Sequence, residues 1–360
     1  MLSWAEIEKH QRLGRPLHQQ DLSGLDAGGR GLADAVFNQV VLRGANLAGC
    51  DLSNAKFIDC DLSGLDFSQA RLHKTTFMRC CMQHAVFSSA PAILTRLDYI
   101  NCIACDLRAS CWQGAHLWIC ALTQCDLGSA DFTGAVIERS ALTECKLEAA
   151  DLSRVRLDQA VLYAVDLRTV RLDGLRAHTA VLMQADFSGK MLPGVQLQRC
   201  TLEDANFSDT DLSGANLTES NCHRALFRNA CLQDVQAPRA LFLAAVFDRT
   251  DLSRANLDSA VFQQATVANS RFDNAILTRS VWDKSMHDTV SFAGADLRYS
   301  RFDHVRGARL DFDRCQLAYS RFHNAALTAA TYRGADRSKS RGTDAGLLAA
   351  ESRTLSTEQA

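Results

Sequence analysis

A leucine or phenylalanine returns at every fifth position along most of the chain without losing step. Leu42, Leu47, Leu52, Phe57, Leu62, Phe67, Leu72 and Phe77 open the series, and Phe302, Phe312, Leu317 and Phe322 keep the same phase near the end. Two residues before each stands a small residue, almost always Ala, Cys, Ser, Thr or Val. The apolar spacing therefore runs two, three, two, three. This is neither the 3.6 of an amphipathic helix nor the 2.0 of a flat strand. A two-residue step places both side chains on one face of a short extended segment. A three-residue step turns the chain onto a new wall. Such a chain hides its apolar side only by closing on itself, so the pattern predicts a solenoid whose turns stack through parallel β-ladders.

The aromatics give the number of walls. After residue 240 they fall at Phe242, Phe262, Phe272, Trp282, Phe292, Phe302, Phe312, Phe322 and Tyr332, while the alternate series holds Leu257, Leu277, Leu297, Leu317 and Leu327 with Phe247 the one exception. A ten-residue sub-period needs an even number of walls, and four walls of five residues satisfy it. Rings then come from two opposite walls.

The stretches Ala45-Asn46-Leu47, Cys50-Asp51-Leu52-Ser53-Asn54, Ala150-Asp151-Leu152-Ser153, Ala215-Asn216-Leu217-Thr218 and Ala295-Asp296-Leu297 match an A(D/N)LXX consensus. On these the chain resembles the pentapeptide-repeat family. The resemblance implies an all-β fold, a right-handed quadrilateral parallel β-helix of about 16 coils. Three segments are expected: a capping helix over 1–16, the β-helix over 17–335, and a polar tail over 336–360 that forms a short helix and then disorder.

The ends differ from the middle because an open solenoid end exposes unpaired strand edges. Ser3-Trp4-Ala5-Glu6 reads as a capping box that opens a short helix, with Trp4, Ile7 and Leu13 covering the first coil and Gly14 stopping the helix. At the other end Arg337 stands where a core residue is due, so the rod is expected to stop near residue 335, with Ala345 to Glu351 forming a turn or two of helix over the last coil.

Charge changes the picture little. The 39 basic and 41 acidic residues leave a net charge of −2, which does not favour direct nucleic-acid binding. No apolar run is long enough to span a membrane, and the first residues lack the apolar core of a secretory signal. The 14 cysteines look like chemistry, but nine of them, Cys50, Cys60, Cys80, Cys105, Cys120, Cys125, Cys145, Cys200 and Cys315, occupy the small inward position. There cysteine acts as a small hydrophobe. Cys105, Cys125 and Cys145 should stack in neighbouring coils, which leaves a metal or redox ladder as a minor reading. Cys102 and Cys105 make a lone CxxC with both sulfurs inward, a weak zinc or thioredoxin signal. Free buried thiols suit a reducing cytoplasm. The chain has no GxSxG, P-loop or HExxH motif, and neither catalysis, cofactor nor metal is expected.

Function is expected on the outer walls. Outward positions flank each central residue, and on one wall they are unusually apolar: Val161, Tyr163, Val181 and Met183 form one patch, and Leu241, Leu243, Val261 and Val281 another. An apolar outer stripe suggests a protein partner or self-association; a homodimer through the C-terminal end is a further option. Departures from the repeat mark a second set of candidates. Pro91, with Ile93, Tyr99 and Trp118 near it, should force a bulge, since proline cannot donate to a ladder. A similar disturbance is expected at Ala237-Pro238. Lys190 at an inward position must escape by local distortion. His287 takes a central inward position, and a distorted coil that turns the imidazole outward is expected because a buried unpartnered polar group is costly.

The resemblance adds specific expectations. The family's best-known members protect DNA gyrase against quinolones or toxins and resemble duplex DNA in shape and negative charge. This chain departs from them in its balanced charge and in having no phase-breaking loop. The opening helix followed by Leu22-Ser23-Gly24-Leu25-Asp26 resembles the N-terminal edge of modules associated with type VI secretion loci, which implies a delivery adaptor or effector accessory. The leading expectation is a non-enzymatic scaffold that binds another protein along an outer wall.

Overall fold

A computed structural model describes residues 2–357 of the chain. Bridges and strand pairs are parallel and link each residue to the one 20 positions further on, as in Asp21↔Val41, Asp26↔Asn46, Gly31↔Asp51 and Val36↔Lys56. Four such columns mean four walls of five residues each, as the aromatic sub-period requires. The turns number about 16 in all, and they divide into two compact units, Met1–Ala185 and Asp186–Ala360.

The same local chemistry builds every corner. The fourth residue of the step, such as Gln39, Asn54 or Ser89, takes a left-handed backbone, with φ between 48° and 63° where it is not glycine. Glycine holds this position in only some corners, such as Gly24 and Gly64; elsewhere ordinary residues accept the conformation because the next coil over-determines it. The Asp or Asn before the central residue fixes the corner. Asp21, Asp51, Asp131 and Asn216 each accept the N–H two residues on, at 2.8–3.0 Å. Hydrogen bonds from Ser53, first the hydroxyl and then the backbone N–H, hold the Asp51 carboxyl below the usual carboxylate range.

The inward small position carries a second regularity. While Ser300 and Ser320 there donate to the carbonyl three residues before in their own coil, many of its Cys, Ser and Thr side chains donate to the carbonyl of the central residue 23 positions earlier, one coil below. Examples are Thr75 to Leu52 (2.8 Å), Cys125 to Cys102 (3.5 Å), Thr210 to Phe187 (2.8 Å) and Cys315 to Phe292 (2.8 Å). Several of these carbonyls, Leu52 and Phe187 among them, already accept the turn N–H three residues on. The side chain takes the remaining lone pair, so a polar residue is buried without loss.

In the first unit the helix Trp4–Arg12 covers the opening coil. Its capping box is complete: the Ser3 N–H donates to Glu6 Oε2 at 2.8 Å, and Ser3 Oγ accepts the Glu6 N–H at 3.4 Å. Ile7 is fully buried, and the Arg30 guanidinium lies 4.4 Å over the Trp4 ring. Leu13, expected in the cap, is instead exposed: it is the C-cap residue and points away as Gly14 turns left-handed at φ +59°. Phe37, Phe57 and Phe77 stack down one wall at 4.6 and 5.1 Å, with Phe67 and Phe87 edge-on to them from the opposite wall.

In the second unit the rings are continuous. Phe187, Phe207, Phe227 and Phe247 form one column. Phe242, Phe262, Trp282, Phe302 and Phe322 form another. Phe272, Phe292, Phe312 and Tyr332 form a third. The last two run edge-on to each other at 5.4–6.2 Å. The core tryptophans of both units have their indole N–H satisfied by the serine two residues before, Ser110 for Trp112 and Ser280 for Trp282. The ladder continues past residue 335 to the Arg321↔Arg341 bridge. A helix then spans Ala345–Thr357, longer than the turn or two expected. Residues 358–360, the end of the expected disordered tail, lie outside the described residues.

Candidate functional site

The first unit presents one wall unlike its other three. Strands Asn101–Ile103, Ala121–Thr123, Ala141–Thr143 and Val161–Tyr163 pair in register as a four-stranded parallel sheet, and Val161 bridges on to Val181. The middle residues Cys102, Leu122, Leu142 and Leu162 are buried. The flanking residues point out, and over five coils, from Asn101 to Met183, none carries a charge. The wall opposite carries Asp131, Asp151, Arg171 and Asp173 in the same coils, and the two side walls are charged as well. Tyr163 is 53% exposed, while Val161, Val181 and Met183 are half-buried. Small side chains at 121 and 141 leave the middle of this face flat.

A shallow groove of about 460 Å³ follows one edge of this face. Tyr99, Ile119, Arg139 and Gln159 form its outer lip, and Asn101, Ala121, Ala141 and Val161 line the sheet side. The exposed Tyr99 ring meets Trp118 edge-on at 4.8 Å. Ile119 holds a left-handed backbone at φ 52°, strained for a β-branched residue. Beside the groove Asp98 is 2% exposed; its Oδ2 accepts from Arg96 Nε at 2.6 Å, and its Oδ1 has no partner among the described residues. Two sequence candidates thus gather at this lip, Tyr99 and Trp118. Ile93 lies apart from it, half-buried on the opposite wall with Pro91, its carbonyl accepting the Lys74 N–H.

Pro91 produces no bulge. Its carbonyl accepts the Leu72 N–H at 2.9 Å, the Cys111 N–H reaches Ala90 O, and Pro91 bridges Cys111 in the regular ladder. Only the one bond that its missing N–H would make is forfeited. The ladder is equally regular at Pro238, whose carbonyl accepts the Glu219 N–H at 3.0 Å.

In the second unit Leu241, Leu243, Val261 and Val281 share one wall, bridged as Leu241↔Val261↔Val281. Leu241 is exposed and the others half-buried. This patch is short, since the next outward residues on the wall are the ion pairs Arg301–Asp283 and Arg321–Asp303. Lys190 keeps its inward position but remains partly exposed, and its carbonyl stays in the ladder to the Asp211 N–H at 2.9 Å.

His287 corrects an expectation. The imidazole points inward: it is 5% exposed and packs 5.4 Å from Trp282. Nε2 lies 2.8 Å from Ser285 Oγ, while Nδ1 has no partner among the described residues. Burial pushes its pKa down to about 3, so the ring is neutral and apolar enough for the core. Gly307, one coil on, is where the room ends: a Cβ there would meet Leu310 at 2.8 Å and His287 at 3.3 Å.

The stacked thiols Cys105, Cys125 and Cys145 each reach the carbonyl of the central residue one coil below. Hydrogen bonds among neighbouring thiols push the pKa values of Cys105 and Cys145 up and that of Cys125 down, while burial pushes Cys120 and Cys315, which lie outside the stack, up to about 12. Between the coils of Phe87 and Phe132 the core holds a void of about 10 Å³ lined by apolar side chains and Cys102, room for about one water and for no substrate.

Four walls, a 20-residue parallel register and Asx-fixed corners define a β-solenoid built in five-residue steps. The model for pentapeptide repeats matches in 8 copies, over residues 32–57, 55–90, 100–139, 138–174, 196–234 and 239–279. These segments cover more than half of the sequence, and the chain belongs to the pentapeptide-repeat family. No curated protein matches it in sequence. Among solved structures, a trypsin-treated QnrB1, described as a plasmid-mediated fluoroquinolone resistance protein, is 19% identical over 45% of this chain and 91% of its own, with a TM-score of 0.23. HetL from the cyanobacterium Nostoc, described as involved in regulating heterocyst differentiation, is 18% identical over 93% and 95%, with a TM-score of 0.18. Rfr23, a pentapeptide-repeat protein from the cyanobacterium Cyanothece, is 16% identical over 49% and 96%, with a TM-score of 0.11. Among the described residues no helix is long and apolar enough to cross a membrane.

Proposed function

We propose that this protein is a non-enzymatic scaffold of the bacterial cytoplasm that binds another protein along the uncharged wall of its first unit. One observation carries the reading: five successive coils without an outward charge on one wall, in a stretch where each of the other three walls carries outward charges. Removing exposed aliphatic and aromatic surface from water is worth about 25 cal/mol per Å², and a flat face without charges asks a partner to desolvate few polar groups. Tyr163, large and exposed at the edge of that face, is the expected anchor.

A second reading, self-association through the same face, is favoured by its rims. Arg139 stands on one rim and Glu144 on the other, at the two ends of the central strand Ala141–Thr143. A two-fold axis parallel to the coil axis would set Arg139 of one copy against Glu144 of the other, twice; an antiparallel pairing centred on the same coil would set like charges together.

Capture from a bacterial lysate with the full chain, run beside sedimentation velocity, separates the two. Thr143→Arg with Tyr163→Asp should lower partner recovery at least about tenfold, a loss of roughly 1.4 kcal/mol. Unchanged recovery together with an unchanged oligomeric state would sink the wall as an interface. Self-association that is weakened by Arg139→Glu and restored by adding Glu144→Arg selects the second reading. Spike or effector proteins among those captured would point to a type VI secretion adaptor, and gyrase subunits to a gyrase-directed role. Gyrase supercoiling unaffected at micromolar protein would remove the latter.

A further inference from the structure

Glu351, on the helix Ala345–Thr357, reaches back to two histidines of its own unit. His323 is an outward wall residue and His304 a corner residue one coil earlier, so they are 19 rather than 20 positions apart and their rings converge, with centroids 5.4 Å apart. Other outward residues of this wall, such as Glu203, His223 and Gln263, are partly exposed; His323 is 1% exposed. His304 Nε2 lies 3.3 Å from Glu351 Oε1, and His323 Nε2 lies 3.3 Å from Oε2. One donor atom from each of the three residues falls within a 4.8 Å span.

These distances are long for a charge-assisted hydrogen bond, which closes to about 2.7–2.9 Å. Each imidazole faces its own oxygen of the one carboxylate, at the separation of about 3.3 Å that bonds of about 2.0–2.1 Å set between neighbouring zinc ligands. Nearby carboxylates are otherwise engaged. Asp303 accepts from Arg321 and from the His323 N–H, and Asp344 caps the helix by accepting the Leu347 N–H at 3.0 Å. Two imidazoles and one carboxylate with a position left for water make the donor set of an open zinc site. We propose that His304, His323 and Glu351 form a binding site for one divalent transition-metal ion of the zinc class.

The second nitrogens set the strength of the site. His304 Nδ1 lies 3.1 Å from the Asn324 side-chain amide, which can turn its oxygen to accept Nδ1–H and orient the ring as a ligand. His323 Nδ1 accepts the Asp344 N–H at 3.1 Å, so in the metal-free protein Nε2 carries the hydrogen and donates to Glu351. Metal at His323 Nε2 moves that hydrogen to Nδ1 and breaks the Asp344 contact. Binding is therefore coupled to a loosening of the helix start, which holds affinity below that of a preformed structural site.

The test is calorimetric titration of the chelator-stripped full chain with zinc chloride under reducing conditions. One site per chain is expected, weakened at least about 100-fold by His304→Gln and by Glu351→Gln, since losing even an outer-shell partner costs 10–100-fold. It should persist in a variant with the part-exposed thiols Cys81, Cys111 and Cys231 changed to alanine. Cobalt should give tetrahedral d–d absorption without a thiolate charge-transfer band, and metal should speed hydrogen exchange at the Asp344 amide. Equal affinity in the wild type and both variants, loss of binding in the cysteine variant, or no saturable binding at all would each overturn the site.

Discussion

In residues 186–360 three columns of aromatic rings run through the core, and Phe262 is clasped by Phe242 at 5.0 Å and Trp282 at 4.0 Å. In residues 2–185 the columns break off. Leu97 and Leu117 continue the Phe37–Phe57–Phe77 column, Leu107 follows Phe87, and a void of about 10 Å³ remains where Leu97, Leu107 and Trp112 meet. Ile100, at a position usually given to a small residue, and Trp112 supply part of the missing volume. Most of the cysteines also lie in this unit. The comparison shows that the five-residue beat dictates direction and not volume. Each coil is a separate packing problem, solved with rings along the whole of one unit and, beyond Phe87 in the other, largely with aliphatics and thiols.

Truncation is the strongest way to break that comparison. Phe262→Ala removes a ring held on both faces and should cost about 3–5 kcal/mol. Leu117→Ala, beside an existing void in the first unit, should cost nearer about 2–3 kcal/mol, at the low end for such changes. Urea unfolding of both variants checks this; equal losses would mean that the two cores are energetically alike.

Acid probes the second difference. Among the described residues the first unit buries no histidine, whereas the second buries His287 with its pKa pushed down to about 3. The unfolded chain takes up a proton near pH 6.5 while the folded ring stays neutral. Stability due to this group is therefore full above pH 6.5 and declines as pH falls towards 3, by up to about 1.4 kcal/mol per pH unit. His287→Leu should remove that part of the slope between pH 6.5 and 5, above the range where the carboxylates titrate. A slope unchanged in the variant would show that the ring is hydrated when folded.

The smallest effect concerns the bonds from the inward position to the carbonyl one coil below. Thr210→Val leaves the Phe187 carbonyl with its other donor, the Lys190 N–H, so about 0.5–1.5 kcal/mol is expected. Cys125→Ala removes a weaker thiol donor at 3.5 Å and should cost less than Thr210→Val in the same urea assay. The reverse order would mean that thiol packing, and not hydrogen bonding, governs this position.

The wall count, the inward assignment of most cysteines and the capping box at Ser3 and Glu6 were legible because each is a local consequence of periodicity. The uncharged wall was legible in part: Val161, Tyr163, Val181 and Met183 stood out as apolar, but Asn101, Thr123 and Thr143 did not, since their common trait is the lack of charge. His287 was misread because the cost of burying a neutral imidazole depends on Ser285 and Trp282 around it, which the repeat does not describe. Pro91 was misread because the carbonyl of a proline can sustain the ladder when only its N–H is missing. The meeting of His304, His323 and Glu351 follows from the seating of the C-terminal helix, and no period in the sequence reports that. An interval of 19 between histidines in a chain with a 20-residue register was the one available signal.

The constant offset of 20 between vertical neighbours also bears on how such a chain can change over time. Duplicating or deleting a 20-residue block within either unit returns every later residue to the wall it occupied before, whereas a block of five or ten sends it to another. Segmental duplication can therefore lengthen a stripe while keeping its chemistry, and a shorter slip can carry an entire surface to a different side of the molecule without placing a single polar residue in the core.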